Sequence, residues 1–315
     1  MTDRCLTHML QRKLPDWARV VRTINGIDIY NISILDNIIS WTYSIPDVAA
    51  IDYFGTIITF GELPEVVRWY VNGLKSIGVE EGDIVTLCMP VSVENDVLLF
   101  ALNKLGVIQN SPNFLFLRND FKTYTEQKKS DTLIVLDAYL PFIIDYLEEC
   151  HIKNVVLTNL SDYLPENQKD RFSDMSKLPE KLREIFDNKE KTDECLKKIS
   201  SIRGVNFFLM KDLIEKGKQS NEPLFFGPVD IDRDVSYSYT SGTTGKPKCI
   251  VYKELSANAL IELHIGINTK DYVGDRCFNP YPLHMQLVKG SADTCSWLEE
   301  KQWFPNQFII RIPLE

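Results

Sequence analysis

The densest group of side chains that could do chemistry lies between residues 240 and 248, in the run Thr-Ser-Gly-Thr-Thr-Gly-Lys-Pro-Lys. Gly242 and Gly245 permit positive φ angles and a close approach of the backbone to a ligand. Lys246 and Lys248 offer charge-assisted hydrogen bonds, and Pro247 stiffens the turn between them. Hydroxyl groups that can donate beside the backbone N–H groups come from Thr240, Ser241, Thr243 and Thr244. This combination predicts a loop that wraps the oxygens of a polyphosphate.

Other phosphate-binding patterns do not fit this run. The two glycines are only three residues apart, a proline follows the first lysine, and a strand rather than a helix is predicted to follow, so the Walker A pattern is not met. The dinucleotide fingerprint Gly-x-Gly-x-x-Gly is absent from the first predicted strand-to-helix turns. The remaining alternative is a plain hairpin turn, which needs fewer hydroxyl and lysine side chains than this segment carries.

Regular elements must position the loop, and the flanking sequence supplies them. Asp234–Tyr239 is an alternating run and Cys249–Tyr252 is a second β-rich run, so the order is strand, loop, strand. Upstream, short apolar runs alternate with segments of helical periodicity. The predicted strands are Ile84–Pro90, Thr132–Leu136 and Asn154–Thr158, and the predicted helices are Pro64–Ile77, Glu94–Leu105 (stopped by Gly106) and Leu140–Cys150. This alternation predicts an α/β fold in which helices cover a parallel sheet.

Two stretches fall outside this alternation. Residues 161–200 carry charges of both signs and few apolar side chains, which predicts a solvated helical hairpin on the surface rather than a partner-binding arm. Lys216–Pro228 contains glycine, serine, asparagine and two prolines, and we predict a loop there.

Composition narrows the classes of function. The 315 residues are 44% hydrophobic and 25% charged, as in soluble globular proteins. The formal charge of -9 disfavours nucleic acid as a partner, whereas a small anionic ligand needs only local donors. Seven scattered cysteines without a Cys-x-x-Cys pair favour a reducing compartment. We expect neither a signal peptide nor a membrane span, and the predicted location is cytoplasmic.

Tyr239 to Lys248 resembles the signature loop of the adenylate-forming superfamily, the AMP-dependent synthetases and acyl-CoA ligases. A second resemblance, to the family's N-terminal pattern, is carried by Thr59-Phe-Gly-Glu-Leu63, Gly73-Leu74, Gly78-Val79, Gly82-Asp83 and Val85. The two motifs stand in the family's order, and the resemblance extends over roughly residues 30–285.

The resemblance implies a chemistry and a set of residues. In this family the loop holds the β- and γ-phosphates of Mg-ATP while a substrate carboxylate attacks the α-phosphate, and a thiol, often coenzyme A, then displaces AMP. The implied cofactors are therefore ATP and Mg²⁺, with coenzyme A as thiol co-substrate and a small carboxylic acid as the other partner. Lys248 is the implied catalytic residue, and His284 in Tyr281-Pro-Leu-His284 is the implied substrate-binding residue beside the acyl pocket. The implied nucleotide-binding residues are Thr240, Ser241, Gly242, Thr243, Thr244, Gly245 and Lys246, and no residue is singled out as a metal ligand.

The chain departs from the family pattern at several positions. Cys249 stands where a glycine usually follows the loop lysine, and Glu254 or Leu255 stands where a histidine is common. Beyond residue 286 the pattern is no longer recognisable. We therefore expect a truncated N-terminal portion of an adenylate-forming enzyme without the C-terminal lid domain. Its expected divisions are an N-terminal segment 1–29, a family domain 30–286 with the charged insertion 161–200, and an atypical tail 287–315.

The leading hypothesis is an AMP-forming acid–thiol ligase, incomplete in this chain. The alternative is a non-catalytic binding or assembly module that keeps the fold. A serine hydrolase built on Ser241 and His284 is disfavoured, because no Gly-x-Ser-x-Gly elbow and no acidic partner are evident. Pyrophosphate exchange separates the first two hypotheses, since only a competent enzyme returns label to ATP.

Overall fold

The apolar runs of the sequence form the centre of a seven-stranded sheet. The structure is a computed structural model, and it describes residues 12–90, 92–112, 121, 124–125, 128–172, 183, 189–240, 248–267, 275–278 and 309–312. The strands in chain order are β1 (Val20–Ile24), β2 (Ile27–Tyr30), β3 (Ala49–Tyr53), β4 (Thr56–Thr59), β5 (Ile84–Cys88), β6 (Ile108–Ser111), β7 (Thr132–Leu136), β8 (Asn154–Thr158), β9 (Asn206–Leu209), β10 (Asp234–Thr240), β11 (Lys248–Lys253), β12 (Asp275–Phe278) and β13 (Ile309–Ile312). The α-helices are α1 (Ile34–Thr42), α2 (Leu63–Lys75), α3 (Val93–Leu105), α4 (Leu140–Ile143), α5 (Lys189–Lys198), α6 (Met210–Gln219) and α7 (Glu254–Ile267).

The seven strands lie in the order β11-β10-β6-β5-β7-β8-β9. The pairs from β10 through β9 are all parallel, and β11 is antiparallel to β10. The parallel α/β sheet expected from the sequence is therefore confirmed. A four-stranded sheet has the order β12-β13-β3-β4, and β1 and β2 form a separate antiparallel pair.

Alternate side chains of the central strands feed two hydrophobic cores, one on each face of the sheet. On one face Val85 and Ile134 pack with residues of α2, α3 and α6. On the other face Leu133 and Val135 pack with α4 and with Cys195 of α5. Every residue of β7 is buried, because helices cover both of its faces.

Helix α3 begins one residue before the predicted Glu94 and ends, as predicted, at Leu105. The Ser92 hydroxyl accepts a hydrogen bond from the backbone N–H of Asn95 at 3.2 Å and so caps the first turn. Gly106 ends the helix in the left-handed conformation, at φ 72°. Because α3 follows β5 directly, its first turn lies at the carboxyl end of the parallel strands.

Two sequence predictions need correction. Leu140–Cys150 is not one α-helix: the four-residue α4 lies between 3-10 segments at Asp137–Tyr139 and Ile144–Glu149. Its buried side chains Leu140 and Ile143 are three residues apart, a spacing that aligns in a 3-10 helix. The predicted loop Lys216–Pro228 begins too early, because α6 continues to Gln219.

The charged insertion 161–200 is described only in part. It contains a 3-10 segment at Glu166–Phe172 and the helix α5, whose Cys195 faces the core. The rest of the predicted hairpin lies outside the described residues, so the hairpin stays a prediction.

Candidate functional site

The predicted phosphate loop connects the two strands of an antiparallel hairpin at one edge of the sheet. In this hairpin Tyr239 of β10 pairs with Cys249 of β11, and Thr240 pairs with Lys248. Strand β10 is also parallel to β6, so it ends on the side of the sheet where the other parallel strands end. Ligands of open α/β sheets bind outside these carboxyl ends.

The structure brings two of the predicted site residues together. Thr240 is the last residue of β10, and Lys248, which is exposed, is the first residue of β11. The two strands expected on either side of the loop segment are therefore confirmed. The other predicted residues lie outside the described ranges: Ser241, Gly242, Thr243, Thr244, Gly245, Lys246 and His284.

Side chains fix the end of β10 to the middle of the sheet. The Tyr239 hydroxyl donates to Asn110 Oδ1 at 2.7 Å. Asn110 is fully buried, and its Nδ2 donates to Thr86 Oγ1 at 2.9 Å and to the carbonyl oxygen of Tyr124 at 3.2 Å. The rings of Tyr124 and Tyr239 pack edge to face with centroids 4.7 Å apart. A hydrogen-bonded chain therefore crosses from β10 through β6 to β5.

An ion pair holds the opposite end of the hairpin. Arg233, just before β10, donates from Nε and Nη2 to Glu254 Oε2 at 3.0 and 2.8 Å. Asn103 of α3 donates to the same carboxylate oxygen at 2.6 Å. Burial has the largest effect and raises the pKa of Glu254 above its usual value. The Arg233 charge and these hydrogen bonds act in the opposite direction. Glu254, one of the two candidates for the position of the family's common histidine, thus has its own structural partners in this chain.

Three carboxyl groups mark a second place on the carboxyl edge, beyond β5, β7 and β8. Glu94 lies buried in the first turn of α3, the half-buried Asp137 follows β7, and Asp162, which is exposed, follows β8. Desolvation raises the pKa of each of the three, and the negative charges of Asp162 and Asp137 raise that of Glu94 further. A phosphate would be repelled by these groups when they are ionised, so the hairpin end suits an anion better.

A family model described as AMP-binding enzyme matches residues 41–288. This chain belongs to the AMP-binding enzyme family. The matched range includes the hairpin and the loop between its strands, and the resemblance to adenylate-forming enzymes predicted from the loop is confirmed.

Curated relatives of this chain include acyl-CoA ligases. A long-chain-fatty-acid–CoA ligase of Bacillus subtilis is 21% identical over 207 residues, which are 65% of this chain and 34% of the relative. A 3-hydroxypropionyl-coenzyme A synthetase of Metallosphaera sedula is 27% identical over 197 residues, which are 62% of this chain and 26% of the relative. The chain therefore spans about a third or less of the length of these relatives.

A solved structure shows the same fold. The long-chain-fatty-acid-CoA ligase from Archaeoglobus fulgidus superposes with a TM-score of 0.53 at 15% sequence identity, over 84% of this chain and 44% of that chain. This chain therefore shares the α/β architecture of that ligase.

Sequence reasoning missed the residues that fix the end of β10. Asn110 and Tyr124 lie in or after a strand whose sequence, Ile-Gln-Asn-Ser, has too little apolar character to be read as buried. Glu94 could be placed in a first helical turn, but the charges that act on it, Asp137 and Asp162, are distant in sequence. Within the described residues, no group of three or more His, Cys, Asp or Glu side chains is placed to hold a metal ion. None of the helices in those ranges combines the length and the apolar character that crossing a membrane requires.

Proposed function

We propose that this chain binds the phosphate tail of Mg-ATP at the β10–β11 hairpin and takes part in the AMP-forming activation of a carboxylic acid. The observation that carries the proposal is the pairing of Thr240 with Lys248 at the carboxyl edge of the sheet. This register leaves the seven residues 241–247, with their glycines and hydroxyl groups, as the connection between the strands. Mg²⁺ enters as the counter-ion of ATP and belongs to the substrate.

The residue types suit this reaction. A carboxylate oxygen attacks the α-phosphorus, the bond from the α-phosphorus to the bridging oxygen breaks, and pyrophosphate leaves. In-line displacement of this kind depends on positioning and charge neutralisation more than on covalent help from the protein. Lys248 supplies a positive charge for the departing pyrophosphate, and Thr240, Ser241, Thr243, Thr244 and Lys246 supply further donors.

We further propose that the activated acid passes to a thiol. The thiol sulfur attacks the acyl carbon, AMP leaves, and the thiol proton is released. Coenzyme A is the thiol we propose, since the curated relatives in Bacillus and Metallosphaera are named as coenzyme A ligases. His284 borders the acyl pocket in this proposal. The proposed family domain is 30–286, between a segment 1–29 and a tail 287–315, in a cytoplasmic protein without a nucleic acid partner.

Ligand-induced thermal stabilisation tests phosphate binding. Magnesium pyrophosphate or Mg-ATP is expected to raise the melting temperature, because a ligand at about 100 times its Kd stabilises the folded state by about 2.7 kcal/mol. Lys248→Ala is expected to abolish the shift. Lys253→Ala is the matched control, since Lys253 is an exposed lysine at the other end of the same strand.

Two outcomes would contradict the proposal. One is the absence of any shift in the wild-type protein. The other is an equal loss of the shift in both lysine variants, which would indicate attraction by general positive charge rather than by the loop.

Isotope exchange tests catalysis separately from binding. The protein is incubated with labelled pyrophosphate, Mg-ATP and a panel of carboxylic acids, and the label in ATP is measured. Label that appears only with certain acids supports the ligase and names the acid class. A thermal shift without exchange favours the alternative, a binding or assembly module that keeps the fold without catalysis.

A further inference from the structure

We infer that Tyr239 and Asn110 form a positioning pair that fixes the direction in which the chain leaves β10 and enters the phosphate loop. The inference rests on the proposed function, because it concerns the loop to which phosphate binding is assigned. Neither residue is offered as a ligand contact. Their role is to hold the backbone that carries the loop.

The backbone pairing of β10 with β6 stops before the end of β10. The parallel pairing of β10 with β6 runs from Ser236 opposite Gln109 to Ser238 opposite Ser111, where β6 ends. Tyr239 and Thr240 extend beyond this last pair, and their backbone partners are in β11, the outermost strand of the sheet. Among the described residues, the Tyr239 side chain is what connects this overhang to the interior strands.

The bond runs diagonally across the two strands. Asn110 lies opposite Tyr237 in the register, yet it accepts from the hydroxyl of Tyr239, two residues further along β10. A diagonal bond of this kind resists sliding of β10 along β6 as well as separation of the strands. The edge-to-face contact with Tyr124 fixes the Tyr239 ring from the side.

Both polar atoms of the Asn110 side-chain amide form hydrogen bonds. Its oxygen accepts from Tyr239, and its nitrogen donates to Thr86 and to the Tyr124 backbone, so the amide has a single favourable orientation. Burial raises the pKa of the Tyr239 phenol, so this hydroxyl stays protonated and remains the donor.

Tyr237 offers a matched comparison within the same strand. It lies on the same face of β10, two residues before Tyr239, and its hydroxyl donates to Asp234 Oδ2 at 3.0 Å. That bond stays within β10 and does not tie the strand to β6. Tyr→Phe at either position removes one hydroxyl and one hydrogen bond, but only the change at Tyr239 releases the overhang.

The test compares Tyr239→Phe with Tyr237→Phe. Titration calorimetry with magnesium pyrophosphate is expected to show about fivefold to tenfold weaker binding for Tyr239→Phe, the loss that one hydrogen bond typically gives. Tyr237→Phe is expected to bind as the wild type does. The two variants should lose similar amounts in melting temperature, so a purely structural role would not separate them. Equal pyrophosphate affinities in the two variants would overturn the inference.

Hydrogen exchange keeps the inference testable if the wild type does not bind pyrophosphate, a result that would refute the proposed function alone. The amides of Thr240 and Lys248 are expected to exchange several-fold faster in Tyr239→Phe than in Tyr237→Phe, while amides of β5 exchange alike in both. Equal exchange at Thr240 and Lys248 in the two variants would show that Asn110 and Tyr239 do not hold the end of the strand.

Discussion

The carboxyl group of Glu94 lies inside the protein, and the residue is only 2% exposed. Burial, together with Asp162 and Asp137, raises its pKa well above the usual value of 4.5. The folded state therefore holds this proton more firmly than the unfolded chain does. As the pH rises above 4.5, the unfolded chain releases the proton first, and the free energy of unfolding falls until the folded-state pKa is passed.

Glu94→Gln is expected to stabilise the protein at neutral pH. Glutamine has nearly the shape of glutamate and stays uncharged at every pH, so the cost of burying a charge disappears. We expect a gain of about 1 kcal/mol or more in the free energy of unfolding at pH 7 to 8. The gain should vanish below pH 4.5, where glutamate is protonated in both states. Urea unfolding of both proteins at several pH values measures this gain in the free energy of unfolding.

Glu190→Gln provides the control, because Glu190 is exposed on α5. It should change the free energy of unfolding by less than about 0.5 kcal/mol. A Glu94→Gln variant that is no more stable than the wild type at pH 8 would show that the carboxyl has a favourable partner when ionised.

At the scale of single residues, the sequence predicts only part of the candidate site. The loop between Thr240 and Lys248 could be found because its residue types are consecutive. The Tyr239–Asn110 bond joins residues 129 positions apart, and no local pattern indicates it. The predicted roles of Lys246 and His284 stay predictions.

At the scale of elements, α2 and α6 pack so closely that they touch through glycines. A Cβ atom added to Gly217 of α6 would lie 1.8 Å from the Trp69 carbonyl oxygen, and one added to Gly73 of α2 would lie 2.5 Å from that of Leu213. Real Cβ atoms do not approach backbone this closely, so the helices would have to separate. Both helices line the core on one face of the sheet.

Gly217→Ala is therefore expected to destabilise the protein despite the higher helix propensity of alanine. Alanine gains about 1 kcal/mol of propensity in a helix interior, whereas overpacking typically costs about 1–3 kcal/mol and backbone clashes cost more. We expect a net loss of about 2 kcal/mol in the free energy of unfolding, measured by denaturant titration.

Gly204→Ala separates the clash from backbone strain. Gly204 has φ +76°, and an added Cβ there would meet nothing within 4 Å. Gly204→Ala should lower the free energy of unfolding by about 1 kcal/mol, from backbone strain alone. A Gly217→Ala variant as stable as the wild type would mean that the two helices can move apart freely.

Three elements show why some parts of the fold are predictable from the sequence and others are not. The strand Thr132–Leu136 is predictable because an uninterrupted apolar run of this length indicates a buried strand. The loop predicted from Lys216 starts too early because glycine, serine and asparagine indicate a loop, whereas Gly217 lies inside α6 and lets α2 approach. Leu140–Cys150 was read as one helix because side chains three residues apart suit both an α-helix and a 3-10 helix.

At the scale of the whole molecule, a buried polar contact joins the beginning of the described chain to α7. Arg12 Nη2 and Nη1 donate to the two Glu262 carboxylate oxygens at 2.6 and 3.1 Å, across 250 positions of sequence. Arg12 Nη2 also donates to Asn37 of α1 at 2.9 Å. The side chains of Arg12 and Glu262 are only 14% and 6% exposed. Since Arg12 lies within the predicted segment 1–29, we expect this segment to stabilise the packing of α1 and α7.

Removing one partner of this pair is expected to be costly because the other is left buried and charged. Arg12→Ala and Glu262→Ala should each lower the free energy of unfolding by about 3 kcal/mol, the low end of the range for buried pairs. The double variant should lose less than the sum of the two, with a coupling of about 1 kcal/mol or more.

The exposed pair Lys153–Asp131 is the control, with side chains 68% and 50% exposed. Lys153→Ala should leave the free energy of unfolding close to that of the wild type. If Arg12→Ala proved as mild as Lys153→Ala in denaturant titrations, the contact would not hold the N-terminal segment to α7.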